Sequence, residues 1–137
     1  MADDTHSRSI YQKTMSKALE RILHTDDIQE ALSDVLQDVL EYFKAGRVSV
    51  MSTDRRNPDL QYCVIEVLAD GVSSSMSGRE DRFPKHRWWY DKLEAGECVV
   101  VNDAEAMTWD DPSAYELTKS LGVRSHIGVP ISRYSHI

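Results

Sequence analysis

Positive charge is in short supply: 16 lysines and arginines face 23 aspartates and glutamates, giving a formal net charge of -7 and a pI near 5.1. Basic residues adjoin only at Arg55-Arg56 and within residues 85–87, each group interrupted or flanked by acids. Such a surface repels a polyanion, so nucleic acid is not expected as a partner. Long apolar runs are missing too. No stretch approaches the ~18 apolar residues of a membrane span, and Met-Ala-Asp-Asp-Thr-His lacks the basic start and apolar run of a signal peptide. The expectation is a soluble, cytoplasmic protein. Cysteine is scarce, and Cys63 and Cys98 both fall in apolar, strand-like segments where a buried free thiol is the ordinary state. A disulfide between them needs a geometry that spacing alone does not supply. Internal repeats, low-complexity tracts, glycine-rich phosphate loops and nucleophile elbows are all absent.

The side chains that could carry chemistry are dispersed. None of the five histidines, His6, His24, His86, His126 and His136, has the short spacing to another ligand that marks a metal site. Asp103, Glu105, Asp110, Asp111 and Glu116 form an acidic group without the ligand spacing of a calcium loop, so a solvated surface is the simpler account. Cys98 is followed by three valines, an apolar setting that predicts an unreactive thiol. An enzyme is not expected.

What is present suits one domain and one packed core: 137 residues, 41% of them hydrophobic. Residues 9–23 predict a helix with a narrow apolar stripe in its second half, Ala18, Leu19, Ile22 and Leu23, to be covered by the chain's own sheet or by a second copy. Asp27 and Glu30 have capping-box spacing, and Ile28, Ala31, Leu32, Val35, Leu36, Val39, Leu40 and Phe43 form the wide face of a second helix stopped by Gly46. Burying most of that face contributes on the order of 10 kcal/mol before conformational entropy is subtracted. Residues 47–53 and 60–69 alternate as two strands of a hairpin around a polar Asn-Pro turn, and residues 70–82 read as a flexible loop. Pro84 fits the first turn of a helix that closes at Ala95-Gly96, with His86, Trp89, Tyr90 and Leu93 on one face. A short buried strand at residues 98–101 follows, then an acidic connection, then a helix starting at Pro112 or Ser113.

That last helix carries Leu117 and Leu121 and stops at Gly122. A strand comes next, with Val123, Ser125, Ile127, Val129 and Ile131 on one face and Arg124, His126 and Gly128 on the other; His126 is read as solvent-facing or at an interface. The order of elements predicts an α+β fold with strands mostly antiparallel.

The string Leu121-Gly-Val-Arg-Ser-His-Ile-Gly-Val-Pro-Ile131 resembles the late helix-to-strand junction of the GAF domain family. The resemblance covers roughly residues 28–131. It implies a GAF-like antiparallel sheet flanked by helices, with residues 1–24 as an N-terminal tail and helix and residues 25–137 as the GAF-like domain. The family's sheet has further strands and a closing helix after Ile131. By that pattern a central position is empty, is filled by residues 132–137, or is supplied by another chain; a chain cut short of its natural end fits equally.

The resemblance also implies a function: a small-molecule-sensing regulatory module of a bacterial signalling protein such as a histidine kinase or a diguanylate cyclase. Its partners would be a small ligand, a downstream output domain and a second copy joined through the N-terminal helix or an exposed sheet edge. The family's pocket lies between the sheet and the second-half connections, which points to Trp89, Val101, Asp103, Trp109, Tyr115 and Ser125 as ligand-binding residues. The same aromatic residues could simply be core. Which ligand or cofactor is bound is not legible. Bilin-binding members attach chromophore through a Cys-His pair beginning nine residues before the glycine, where this chain has Ser113 and Ala114. The thiol-dependent methionine sulfoxide reductase branch has a reactive cysteine in the connection matching residues 105–120, which has none here. Nothing in the chain matches the cyclic-nucleotide branch. A ligand-free dimerisation module is the alternative.

Overall fold

The computed structural model describes residues 2–24, 26–76 and 80–131, and for residues 2–7 and 21–24 the backbone alone. The chain divides into two compact units, Met1–Phe83 and Pro84–Ile137.

The first unit opens with α1 (Ala2–His24), longer than the apolar stripe alone predicts, and α2 (Ile28–Phe43). Asp27 caps α2 as its spacing requires, its carboxylate accepting from the amides of Gln29 at 2.9 Å and Glu30 at 3.2 Å. Ala31, Leu36 and Leu40 are buried, whereas Ile28 and Phe43, at the helix's two ends, are exposed. Phe43 instead packs edge-to-face on Tyr42, ring centroids 4.9 Å apart. The helix also stops earlier than expected. Lys44, not Gly46, takes the left-handed conformation at φ 51°, and the Ala45 amide closes the last turn onto the Leu40 carbonyl at 3.0 Å. The side chains of Ile22 and Leu23 lie outside the described residues.

Strands β1 (Arg47–Thr53) and β2 (Leu60–Leu68) form the expected antiparallel hairpin. The register passes from Val50 opposite Ile65 to Met51 opposite Cys63, so Val64 is an extra residue that breaks strict alternation. The Asp54 carboxylate organises the turn, accepting from the amides of Arg56 at 2.7 Å and Asn57 at 2.9 Å. A two-residue strand, β3 (Phe83–Pro84), completes the order β1-β2-β3. The segment after β2 is anchored as well: the Glu66 carboxylate accepts from the hydroxyls of Ser74 and Ser75 and from the Ser75 amide.

In the second unit, α3 (Arg87–Glu94) begins three residues later than Pro84 predicted, because His86 is its cap and Pro84 belongs to β3. Gly96, at φ +82°, closes the helix where expected. Strand β4 (Val99–Val101) pairs antiparallel with β5 (His126–Gly128), and between them α4 (Pro112–Ser120) starts from an Asp111 cap and ends at Gly122, φ +67°. The buried stripe of α4 is Ala114 and Thr118, the latter's hydroxyl tied back to the Ala114 carbonyl at 2.8 Å, rather than Leu117 and Leu121.

The inward face of β5 reverses the reading of His126 as a solvent-facing residue. Val99 and Val101 are 2% and 1% exposed, and the register sets Gly128 opposite Val99 and His126 opposite Val101. His126 and Gly128 therefore share the inward face, while Val100 and Ile127, also paired, point outward with Val129 and Ile131. Cys98 is likewise exposed, one residue short of β4, so the apolar burial expected of it is not found; Cys63 is half-buried, and both are free thiols. Residues 132–137, considered above as a filling strand, lie outside the described residues.

Candidate functional site

The core of the second unit is Val99, Val101 and Ala104, and rings surround it. Helix α3 places Trp88 and Trp89 on successive positions; they meet edge-to-face, centroids 5.2 Å apart at 88°. Trp88 leans on Trp109 at 5.0 Å, and Trp109 on Tyr115 of α4 at 5.9 Å. On the other side Trp89 meets two imidazoles edge-to-face, His86 at 5.0 Å and His126 at 6.3 Å. Edge-to-face contacts of this kind match the positive rim of one ring to the negative face of the next.

Most polar atoms in this cluster are satisfied. Trp88 Nε1 donates to Asp110 at 2.6 Å, and Trp109 Nε1 donates to the Ala104 carbonyl at 2.9 Å. His86 Nδ1 accepts the Trp88 amide at 3.3 Å and so carries no proton; Nε2 then donates to the Ser113 hydroxyl at 3.0 Å, which donates onward to Asp111 at 2.6 Å. The hydrogen bond from the Ser113 hydroxyl, with those from the Ala114 and Ser113 amides, holds the Asp111 carboxyl below the usual range. Burial pushes the Tyr90 phenol up to about 12, with Glu94 adding to the shift.

Two atoms stand apart. Trp89 Nε1 and His126 Nδ1 are buried and have no hydrogen-bond partner among the described residues. A buried polar group without a partner costs free energy that folding does not recover, and such atoms in a native structure need an explanation. Burial also lowers the His126 pKa, which keeps its imidazole neutral at pH 7. Gly128 sets where that ring lies: a Cβ there would come within 3.2 Å of His126 Cε1.

Of the residues expected from the sequence, Trp89, Val101, Trp109 and Tyr115 come together in this cluster. Asp103 sits in the turn after β4, its carboxylate accepting the Glu105 amide at 3.0 Å, and Ser125 is exposed just before β5. His86 and His126 were not among them. The parity that couples His126 to Gly128 and Val99 depends on the strand register, which the run Val99-Val100-Val101 leaves open.

In the first unit, an open depression of about 570 Å³ is lined by Asp54, Arg55, Arg56, Tyr62, Asp81 and Arg82. Within it Arg82 Nε meets Asp54 at 2.7 Å, and the guanidinium lies 4.0 Å from the centroid of the Tyr62 ring. Among the described residues, no group of three His, Cys, Asp or Glu could hold a metal ion, and no helix is long and apolar enough to cross a membrane.

The arrangement is that of an α+β fold with antiparallel strands and an aromatic cluster beside its last strand pair. Residues 27–135 match the GAF domain family model, and the chain belongs to that family. Among solved structures, the fold is similar to the far-red absorbing dark state of JSC1_58120g3 with bound biliverdin IXa, with a TM-score of 0.64 at 15% identity, over 82% of this chain and 71% of that one. No curated protein matches the sequence.

Proposed function

We propose that this chain is the small-molecule-sensing module of a bacterial, cytoplasmic signal-transduction protein of the histidine kinase or diguanylate cyclase type, with no catalysis of its own. The observation that carries this reading is the aromatic cluster around β4, which combines packed apolar rings with two buried, unpartnered polar atoms, Trp89 Nε1 and His126 Nδ1. Ligand sites are commonly built this way, apolar in most of their lining with a few placed polar groups. Trp89, Val101, Trp109 and Tyr115 are its walls; Asp103 and Ser125 belong to the segments flanking it. Family membership supports a regulatory role, and the similar structure has biliverdin IXa bound. With Ser113 and Ala114 where bilin-attaching members have a Cys-His pair, the ligand here is held without a covalent bond. Binding passes to an output domain through rearranged helices in a dimer, and its strength matters only as far as it differs between the two arrangements.

Fluorescence tests the reading. All three tryptophans of the chain, Trp88, Trp89 and Trp109, belong to this cluster. Biliverdin is a suitable planar probe: saturable quenching, abolished by denaturation and leaving no covalent adduct, is expected. Quenching that is linear in biliverdin and unchanged by Trp89→Ala contradicts the reading.

A second reading, a ligand-free dimerisation module, is favoured by the exposed stripe Tyr11, Met15 and Leu19 at four-residue spacing on α1. The double substitution Met15→Glu and Leu19→Glu should convert a dimer to monomer in analytical ultracentrifugation under either reading. Only the sensor reading requires the tryptophan response to survive that conversion.

A further inference from the structure

We propose that the ligand of the aromatic cluster is recognised through a neutral amide edge, a carbonyl and an N–H side by side in one planar ring, with the carbonyl on Trp89 Nε1 and the N–H on His126 Nδ1. The proposal rests on the ligand-binding reading above and specifies its chemistry.

The argument is one of elimination among polar ring atoms. Trp88 Nε1, Trp109 Nε1 and both nitrogens of His86 already have partners within the second unit. Trp89 Nε1 and His126 Nδ1 do not, although both are buried. They belong to rings in edge-to-face contact, centroids 6.3 Å apart at 81°. An indole N–H only donates, which requires an acceptor on the ligand. A neutral imidazole has one accepting nitrogen, and Nδ1 in that role requires a donor.

The competing arrangement is two donors facing a carboxylate. The surroundings oppose it. Indole faces carry negative quadrupole potential, and burying an ionised carboxylate is far more costly than burying an amide unless a cation is paired with it. Desolvation keeps His126 from supplying that cation. Of the nearby lysines, Lys92 is spent over the Trp88 ring at 4.2 Å and Lys85 over Tyr90 at 4.7 Å.

Gly128 is part of the same device. Lying two residues along the inward face, it leaves the space beside His126 Cε1 that a Cβ would enter at 3.2 Å. An added methyl shifts the imidazole and with it the angle at which Nδ1 is presented.

The test uses 2-pyridone, the smallest planar ring with this edge, and N-methyl-2-pyridone, which keeps the carbonyl and loses the donor. Both are titrated into the ¹⁵N-labelled chain while the three indole N–H resonances are followed. The expected result is a downfield shift of the Trp89 indole proton and a preference of about tenfold for 2-pyridone, the worth of one hydrogen bond in a buried site. That preference should fall to about one in His126→Phe and persist in His126→Gln, which retains an acceptor; in Gly128→Ala it should shrink. Equal binding of both compounds to the unaltered chain, with the indoles responding, overturns the amide edge and leaves a planar-ligand site. No indole response to either compound, with biliverdin also failing to quench in a saturable way, overturns both.

Discussion

Trp89 and His126 meet edge-to-face across the second unit, their ring centroids 6.3 Å apart, one from α3 and the other from β5. These two rings carry the only two buried side-chain polar atoms without partners among the described residues. The contact also ties the stability of the unit to pH. Burial lowers the His126 pKa below 6.5, so below that pH the unfolded chain binds a proton that the folded chain refuses. More protons in the unfolded state mean that stability falls as pH falls. Urea unfolding between pH 7.5 and 5.5 should show this loss, and His126→Gln should flatten it. Asp54, Glu66 and Asp111, whose carboxyl pKa values are lowered, lose their contributions only at more acidic pH.

The alternation on β4 gives a sharp contrast between adjacent residues. Val101 is 1% exposed and Val100 53%. Val101→Ala should cost about 2–3 kcal/mol by loss of buried methyls and the cavity they leave. Val100→Ala should stay within about 0.5 kcal/mol. Chemical denaturation of the two variants checks the facing of the strand.

His86 caps α3 through Nδ1 and reaches Ser113, just after the Asp111 cap of α4, through Nε2. His86→Ala should destabilise by about 1 kcal/mol, the usual worth of a cap. His86→Asn should recover most of that, since its side-chain oxygen can accept the same amide. Urea midpoints measure both.

Glu66 anchors the segment after β2 through Ser74 and Ser75. Burial raises its pKa, but the hydrogen bonds from Ser74 and Ser75 and the charge of Arg47 outweigh burial and lower it on balance. Protection of residues 70–76 against hydrogen exchange, relative to the intrinsic rate at each pH, should therefore fall in Glu66→Gln, and in the unaltered chain as pH drops below about 4.5, the model-compound value.

Local signals in the sequence carried much of this architecture. Asp27 and Asp111 cap the helices they precede, the hairpin forms around the Asn-Pro turn, and Gly122 closes α4 in a left-handed conformation. These features depend on neighbours within a few residues, which a sequence displays directly. The misses depend on partners elsewhere. A run of three valines has no parity of its own, so pairing with β5 decided that Val100 faces out and His126 faces in. Histidine is not a common cap, and His86 takes that place because Ser113 holds its ring. Lys44 stops α2 at φ 51° although Gly46 stands two residues on, because the Ala45 amide already closes the turn. For the candidate site, the family resemblance pointed to Trp89, Val101, Trp109 and Tyr115, which cluster, and to Asp103 and Ser125, which lie in the flanking segments; the place of His126 emerges only from the strand register.

Native against denaturing mass spectrometry on freshly purified protein tests most directly whether the aromatic cluster holds a ligand. The account predicts an extra mass in the native spectrum that is lost on denaturation, and its absence from His126→Phe and Trp89→Ala samples prepared in parallel. A native spectrum showing the bare polypeptide mass, or an extra mass that both variants retain in full, contradicts it.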